Sequence, residues 1–244
     1  KAQAKVSNND LEGGLDVLDT GLVVLPSNAD MWVYKSYFKM NINDFQGASL
    51  DAERAIELDP KHVVAWNNLA QSKKHLGKKK EALKDLNRAV KIDPGYSQAL
   101  ENRAKLKLEL GDYKGGLADF SAAIKTDPSN SSLWIKRGRA KLSEKDFQGA
   151  IQDFTKALGL DSEDMFALVR RGIAKELSGR IHEAILDYSK AIESQPDYLP
   201  AWVNRAQCRL SQGEFTKALE DISQALRLDP EDIIALNVEQ KILL

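Results

Sequence analysis

The chain has 244 residues with 35 basic and 36 acidic side chains, a net charge of −1. That balance argues against a nucleic-acid or anionic-membrane binder, whose affinity depends on a basic excess. No apolar run approaches the roughly 18 residues of a membrane span, and the single cysteine, Cys208, excludes an internal disulfide and fits a reducing compartment such as the cytoplasm.

Residues 1–28 start abruptly inside a helical pattern that carries Leu11, Gly14, Leu18, Gly21 and Pro26. They carry no signal-peptide pattern, and such a start is expected of a piece cut from a longer protein. From Pro26, proline recurs every 34 residues, at Pro60, Pro94, Pro128, Pro196 and Pro230, with Ser162 in the one gap. A sustained period of that size predicts a repeat array, which is one continuous domain over residues 1–244. After the partial unit 1–28 come six full units: 29–62, 63–96, 97–130, 131–164, 165–198 and 199–232. Residues 233–244 are expected to form a terminal helix or a truncated further unit.

The same positions recur in each unit. The fourth slot is large and apolar: Trp32, Trp66, Leu100, Trp134, Leu168, Trp202. The eighth is small, from Ser36 to Ala206, and the twentieth is Ala or Gly. The twenty-seventh is always alanine: Ala55, Ala89, Ala123, Ala157, Ala191, Ala225. Trp66, Leu69 and Ala70 lie three and four apart, which is one face of a helix; Leu83, Leu86, Ala89 and Val90 do the same for a second. Gly77, Gly111, Gly179 and Gly213 fall between the two helices, where a left-handed residue ends the first. Asp-Pro pairs such as Asp93-Pro94 stop the second. Neither helix pair can bury both its apolar faces alone, so each unit needs its neighbours.

This pattern resembles the tetratricopeptide repeat family, in its arginine-glycine subtype (Arg137-Gly138, Arg171-Gly172). The resemblance covers nearly the whole chain. It implies an all-α fold: a right-handed α-α superhelix, or solenoid, of antiparallel helix pairs, with the first helices lining a concave groove. Aspartate fills slot 23 in all six units and arginine fills slot 7 in four. Pairs between adjacent units are expected: Arg103 with Asp85, Arg137 with Asp119, Arg171 with Asp153, Arg205 with Asp187. A guanidinium forked onto a carboxylate would fix the angle between neighbours.

In related folds slots 2, 5, 6, 9, 12 and 13 face the groove. By that resemblance the candidate peptide-binding residues are Tyr34, Tyr37, Asn68, Gln71, Asn102, Lys105, Lys136, Arg139, Phe166, Arg170, Asn204 and Gln207. Lys105, Lys136, Arg139 and Arg170 are expected to form a basic patch suited to a partner with acidic residues. Asn68, Asn102 and Asn204 share slot 6, where an amide can donate to and accept from a peptide backbone. Peptide-glycosylating relatives carry an asparagine ladder at that slot; here Tyr34, Lys136 and Arg170 interrupt it. The clamp of chaperone-tail receptors is not expected, because Val33, Asn67, Glu101 and Ile135 stand where it needs lysine.

Other motifs fail. His182-Glu183-Ala184-Ile185-Leu186 lacks the second histidine of a zinc-protease helix, and Gly77-Lys78-Lys79 lacks the rest of a phosphate loop. His62, His75 and His182 have no ligand spacing, so no metal, cofactor or catalytic residue is expected. Cys208 is expected to be a buried, inert thiol, and the lysines around Gly77 a solvated turn. The chain is therefore expected to be a protein-interaction scaffold and not an enzyme. The alternatives are the substrate-recognition arm of a larger enzyme (glycosyltransferase-like), a co-chaperone, or a self-association module acting through the apolar terminal helix.

Overall fold

The computed structural model describes residues 11–243; residues 1–10 and Leu244, at the two ends of the expected array, lie outside it. Among the described residues there are fourteen α-helices and no strand. Packing groups the chain into two compact units, divided between Asp127 and Pro128. Unit 1 holds α1 (Leu11–Val24), α2 (Ala29–Asn41), α3 (Phe45–Leu58), α4 (Val63–His75), α5 (Lys79–Ile92), α6 (Ser97–Glu109) and α7 (Tyr113–Thr126). Unit 2 holds α8 (Ser131–Ser143), α9 (Phe147–Leu160), α10 (Met165–Leu177), α11 (Ile181–Ser194), α12 (Leu199–Ser211), α13 (Phe215–Leu228) and α14 (Ile233–Leu243). Each full repeat is thus a pair of helices, as the periodicity predicts, and within each unit successive pairs pack on one another.

The turn between paired helices is left-handed in every repeat. Gly77, Gly111, Gly179 and Gly213 take it with φ of 76–84°, and Asn43 and Lys145 take the same conformation in the two repeats that lack glycine. Asp44, Asp112 and Asp146 then cap the second helix by accepting from the N–H of Gly47, Gly115 and Gly149 at 2.8–2.9 Å. The slot-27 alanines are fully buried in all six repeats. Small slot-8 residues face large slot-24 residues of the same repeat. A Cβ on Gly172 would stand 2.6 Å from the Tyr188 ring, and one on Gly138 2.9 Å from the Phe154 ring.

The recurring proline has a partner. The indole of Trp66 donates to the carbonyl of Pro60 at 3.0 Å, six residues back; Trp32, Trp134 and Trp202 do the same to Pro26, Pro128 and Pro196 at 2.8–3.0 Å. In these four repeats the bond ties the start of the first helix to the loop that delivers it.

The arginine–aspartate pairing differs from expectation. Arg103 forks onto Asp119, Arg137 onto Asp153, Arg171 onto Asp187 and Arg205 onto Asp221, all within one repeat, with paired N–H···O distances of 2.7–3.0 Å. The reach to the preceding repeat is made by the remaining nitrogen, Nη1. It donates to Asn87 from Arg103, to Thr155 from Arg171 and to Ser189 from Arg205 at 3.0–3.2 Å. The geometry explains the correction: packing two helices of a pair places slots 7 and 23 face to face. The planar guanidinium then has one edge for its own aspartate and one nitrogen left for the neighbour. Arg137 and Arg205 also lie 5.0 Å over Trp134 and Trp202.

Slot 11 supplies a cation to every buried slot-23 aspartate, the second one in the four repeats with an arginine at slot 7. Slot 11 is basic throughout, and Lys39, Lys73, Lys107, Lys141, Lys175 and Arg209 lie 2.7–2.9 Å from Asp51, Asp85, Asp119, Asp153, Asp187 and Asp221. Asp51 and Asp85 have this lysine alone, because slot 7 is Lys35 or Leu69; Lys35 instead pairs with Asp19 of the preceding unit. The ion pairs of Asp51 and Asp85 lie off hydrogen-bonding direction at Oδ2. Burial raises both carboxyls above their ordinary value, more than the lysines lower them.

Candidate functional site

In unit 1 a pocket of about 530 Å³ is lined by α2, α4 and α6 with the residues that lead into α3 and α6. Tyr37, Gln71, Asn68 and Asn102, all expected in the groove, line it, together with Met40, Phe45 and His75. The Phe45 and His75 rings stack, with centroids 4.2 Å apart and planes 3° from parallel. Tyr34 is exposed but lies outside this lining. Tyr96 also lines the pocket, and burial pushes its phenol above the usual range.

Two of the slot-6 asparagines line this pocket with most of their surface covered. Asn68 and Asn102 are buried. Asn68 Nδ2 donates to the Val33 carbonyl at 3.3 Å, and Asn102 Nδ2 donates to Asn67 Oδ1 at 2.8 Å. Both contacts run to slot 5 of the preceding repeat, so the slot-6 amide N–H serves the stack itself. Gln98 Nε2 in turn donates to Asn102 Oδ1 at 3.3 Å. Among the described residues this chain leaves Asn67 Nδ2 and Asn68 Oδ1 without a partner. Neither atom is sealed from solvent, so water can satisfy both.

In unit 2 a smaller pocket, about 380 Å³, opens between the N-terminal halves of α8 and α10. It gathers Lys136, Arg139, Phe166 and Arg170 with the hydroxyls of Ser131 and Ser132. Arg139 and Arg170 are exposed and have no ion pair or hydrogen bond among the described residues. The Phe166 ring is 61% exposed and meets Tyr198 edge-on at 6.3 Å. The one carboxylate of the lining, Asp164, is engaged as the cap of α10, accepting from Ala167 N–H at 2.8 Å. Three of the four residues expected in the basic patch are therefore gathered here. Lys105, in unit 1, is ion-paired with Glu101. Asn204 and Gln207 are half-buried on α12 and do not line this pocket.

Cys208 is buried, as expected, and burial and then Glu176 push its thiol up to about 12. Glu176 also accepts from the Tyr188 hydroxyl at 2.8 Å. Near Gly77, Lys73 belongs to the buried aspartate of its own repeat, and Lys74 and Lys79 pair with Glu109 at 2.6 and 3.0 Å. Among the described residues no group of three or more His, Cys, Asp or Glu is arranged to hold a metal, and no helix is long and apolar enough to cross a membrane.

Asn67 and His75 fall in groove-facing slots 5 and 13 of their repeat, but the stacking of His75 on Phe45 was not foreseen. Phe45 was marked by slot 17, which is aromatic in four repeats (Phe45, Tyr113, Phe147, Phe215) and starts the second helix. The slot-11 cations were legible as six basic residues in register.

No curated protein sequence matches the chain. Solved structures do. The C-terminal part of a tetratricopeptide repeat-containing protein from Cytophaga hutchinsonii superposes with a TM-score of 0.81 at 15% identity, covering 97% of each chain. YrrB, described as a tetratricopeptide repeat protein with an unusual peptide-binding site, gives 0.67 at 20% identity, over 78% of this chain and 97% of its own. MamA gives 0.63 at 19% identity, over 67% of this chain and 95% of its own. These likenesses establish the all-α repeat fold. Tetratricopeptide repeat models match residues 63–96, 102–164 and 200–232, together more than half of the sequence. With its helix pairs, its 34-residue period and these matches, the chain belongs to the tetratricopeptide repeat family.

Proposed function

We propose that the chain is a non-catalytic scaffold that binds a peptide segment carrying acidic residues, and that the unit 2 pocket is where the acidic side chain is held. The carrying observation is the pair Arg139 and Arg170, unpaired and converging with Lys136 beside the exposed Phe166 ring. A guanidinium forks onto a carboxylate or phosphate with two parallel bonds, and an exposed aromatic ring offers apolar contact area at low entropy cost. The partner is a protein or peptide, not nucleic acid. The inert buried thiol accords with the reducing, cytoplasmic compartment proposed for the chain. That YrrB, of the same fold, is described as having a peptide-binding site lends support.

The test is fluorescence anisotropy with labelled acidic and charge-neutral peptides of the same length. Reversing both arginines, Arg139→Glu with Arg170→Glu, is expected to weaken acidic-peptide binding by at least about tenfold, the loss of one charge-assisted contact. Unchanged affinity removes the pocket from consideration.

A second proposal, self-association, rests on α14, where Ile233, Ile234, Leu236 and Leu243 are exposed. Exposed apolar surface of this kind marks contact sites. Light scattering across a concentration series tests it; a constant monomer mass, unchanged by Leu236→Lys, rules it out.

A further inference from the structure

The fifth repeat, 165–198, departs from the others at one place. Slot 4 is Trp in the first, second, fourth and sixth repeats, and slot 30 is large there: Leu58, Ile92, Leu160 and Leu228. In the third and fifth repeats both shrink together, to Leu100 with Thr126 and to Leu168 with Ser194. The fifth alone also lacks the preceding proline, with Ser162 in its place. These three changes meet at one cavity of about 460 Å³, lined by Ser162, Glu163, Leu168, Lys190, Glu193 and Ser194. Its apolar wall, Leu168, is 2% exposed. The Ser162 carbonyl stands where four proline carbonyls accept an indole N–H, and it accepts no hydrogen bond among the described residues. Among the same residues Arg171 lies over no aromatic ring, whereas Arg137 and Arg205 at its slot cover Trp134 and Trp202 at 5.0 Å.

We infer that this cavity receives the indole of a tryptophan from a partner protein, in the place that the repeat's own tryptophan fills elsewhere. The indole would rest on Leu168 and donate its N–H to the Ser162 carbonyl, with Arg171 over its face. A flat ring with one donor suits a site with one apolar wall and one unused acceptor, and tryptophan is the side chain that best holds a cation over its face. The rim selects the residue beside it. Glu163 and Glu193 are exposed and, like Lys190, form no ion pair among the described residues. Two carboxylates against one ammonium favour a Lys or Arg next to the tryptophan. A second copy of the chain does not supply the ring, because Trp32, Trp66, Trp134 and Trp202 all engage their N–H internally. The volume of about 460 Å³ lies within the range of ligand pockets, about 300–1,000 Å³. None of these residues lines the basic pocket of unit 2, so the inference stands apart from the acidic-peptide proposal.

The experiment follows the backbone amide NMR signals of the full, isotope-labelled chain as N-acetyltryptophan amide is added. Shifts are expected at residues 162–168 and 190–194, with a Kd on the order of 1 mM or below. The analogue methylated at the indole nitrogen lacks the donor and should bind about tenfold more weakly. The capped dipeptide Trp-Lys should bind about three- to tenfold more tightly than Trp-Glu, and Glu163→Gln with Glu193→Gln should remove that preference. Leu168→Trp with Ser162→Pro rebuilds the pattern of the other repeats, fills the cavity and should abolish the shifts. Ser194→Leu, at an exposed position, closes the same cavity from its other side and serves should the double variant not fold. Arg139→Glu with Arg170→Glu should leave binding within about twofold, whatever it does to acidic peptides. The inference is overturned if these signals do not move, if the methylated analogue or N-acetylphenylalanine amide binds as well, or if Trp-Glu binds better than Trp-Lys. It is equally overturned if the shifts persist in the filled variants or vanish on arginine reversal. Tighter binding of free tryptophan than of its capped amide would assign the cavity to the amino acid and overturn the protein partner.

Discussion

The Nε1–H of Trp202 donates to the carbonyl of Pro196 across 2.8 Å, joining the two most conspicuous residue types of the repeat in one contact. The proline ends one helix pair, and the tryptophan begins the next. The bond therefore sets where a new repeat starts relative to the loop before it. Trp202→Phe keeps the ring but removes the donor. The expected destabilisation is roughly 1–2 kcal/mol, a lost hydrogen bond plus lost ring area. Urea unfolding measures it; an effect indistinguishable from zero would show that the contact sets no register.

Asp187 holds two cations, Arg171 by a fork and Lys175 at 2.8 Å. Removing the aspartate charge strands both in a nearly closed site. Asp187→Asn is expected to cost about 3–5 kcal/mol. Asp51→Asn, which strands only Lys39, should cost clearly less. Thermal denaturation of the two variants decides, and equal losses would refute the cooperative role of the arginine.

The carboxyl of Asp51 is raised above its ordinary value of 3.8, chiefly by burial. A group raised in the folded state favours folding fully below its unfolded value and loses that contribution as pH rises through its folded value. Asparagine cannot ionise. The stability of Asp51→Asn relative to the wild type is therefore expected to improve as pH rises from about 3.8 toward neutrality. Chemical denaturation at several pH values tests the sign. A relative stability that falls with pH would mean that the ion pair with Lys39 outweighs desolvation.

Gly172 and Gly138 occupy the same slot, but the rings they face differ in freedom. Tyr188 is tethered through its hydroxyl to Glu176 at 2.8 Å, whereas Phe154 has no such anchor. A methyl group at Gly172 meets a ring that cannot swing away. Gly172→Ala is expected to lose about 1–3 kcal/mol through overpacking, and Gly138→Ala less, since the Phe154 ring starts farther off, at 2.9 Å against 2.6 Å, and has no hydroxyl tether. Combining Gly172→Ala with Tyr188→Phe should recover part of the loss by freeing the ring. Differential scanning calorimetry distinguishes the cases; no recovery would place the strain elsewhere.

The turn between paired helices carries a further lever. Lys145 sits at φ 62°, where four other repeats have glycine. Glycine adopts that conformation without steric penalty. Lys145→Gly is expected to gain roughly 0.5–1 kcal/mol despite the extra freedom glycine has when unfolded. A lower melting temperature would contradict the steric account.

What the sequence determined by itself was everything carried by its period. Helix pairs, their turns and the buried alanines at slot 27 follow from contacts within 34 residues, and these recur so regularly that propensity, capping and apolar spacing agree. The choice of partner among repeated charges was beyond it. Asp119 lies 16 residues after Arg103 and Asp85 18 before it, and a periodic sequence gives both the same standing; only the packing of two particular helices selected Asp119. The same holds for the asparagines. Slot 6 is legible, but whether Asn68 and Asn102 offer their amides outward or spend them on the Val33 carbonyl and the Asn67 side chain depends on which acceptor of the neighbouring repeat comes within 3.3 Å. Burial and hydrogen-bond geometry are properties of neighbours brought together in space, and those decided which groups remain available to a partner.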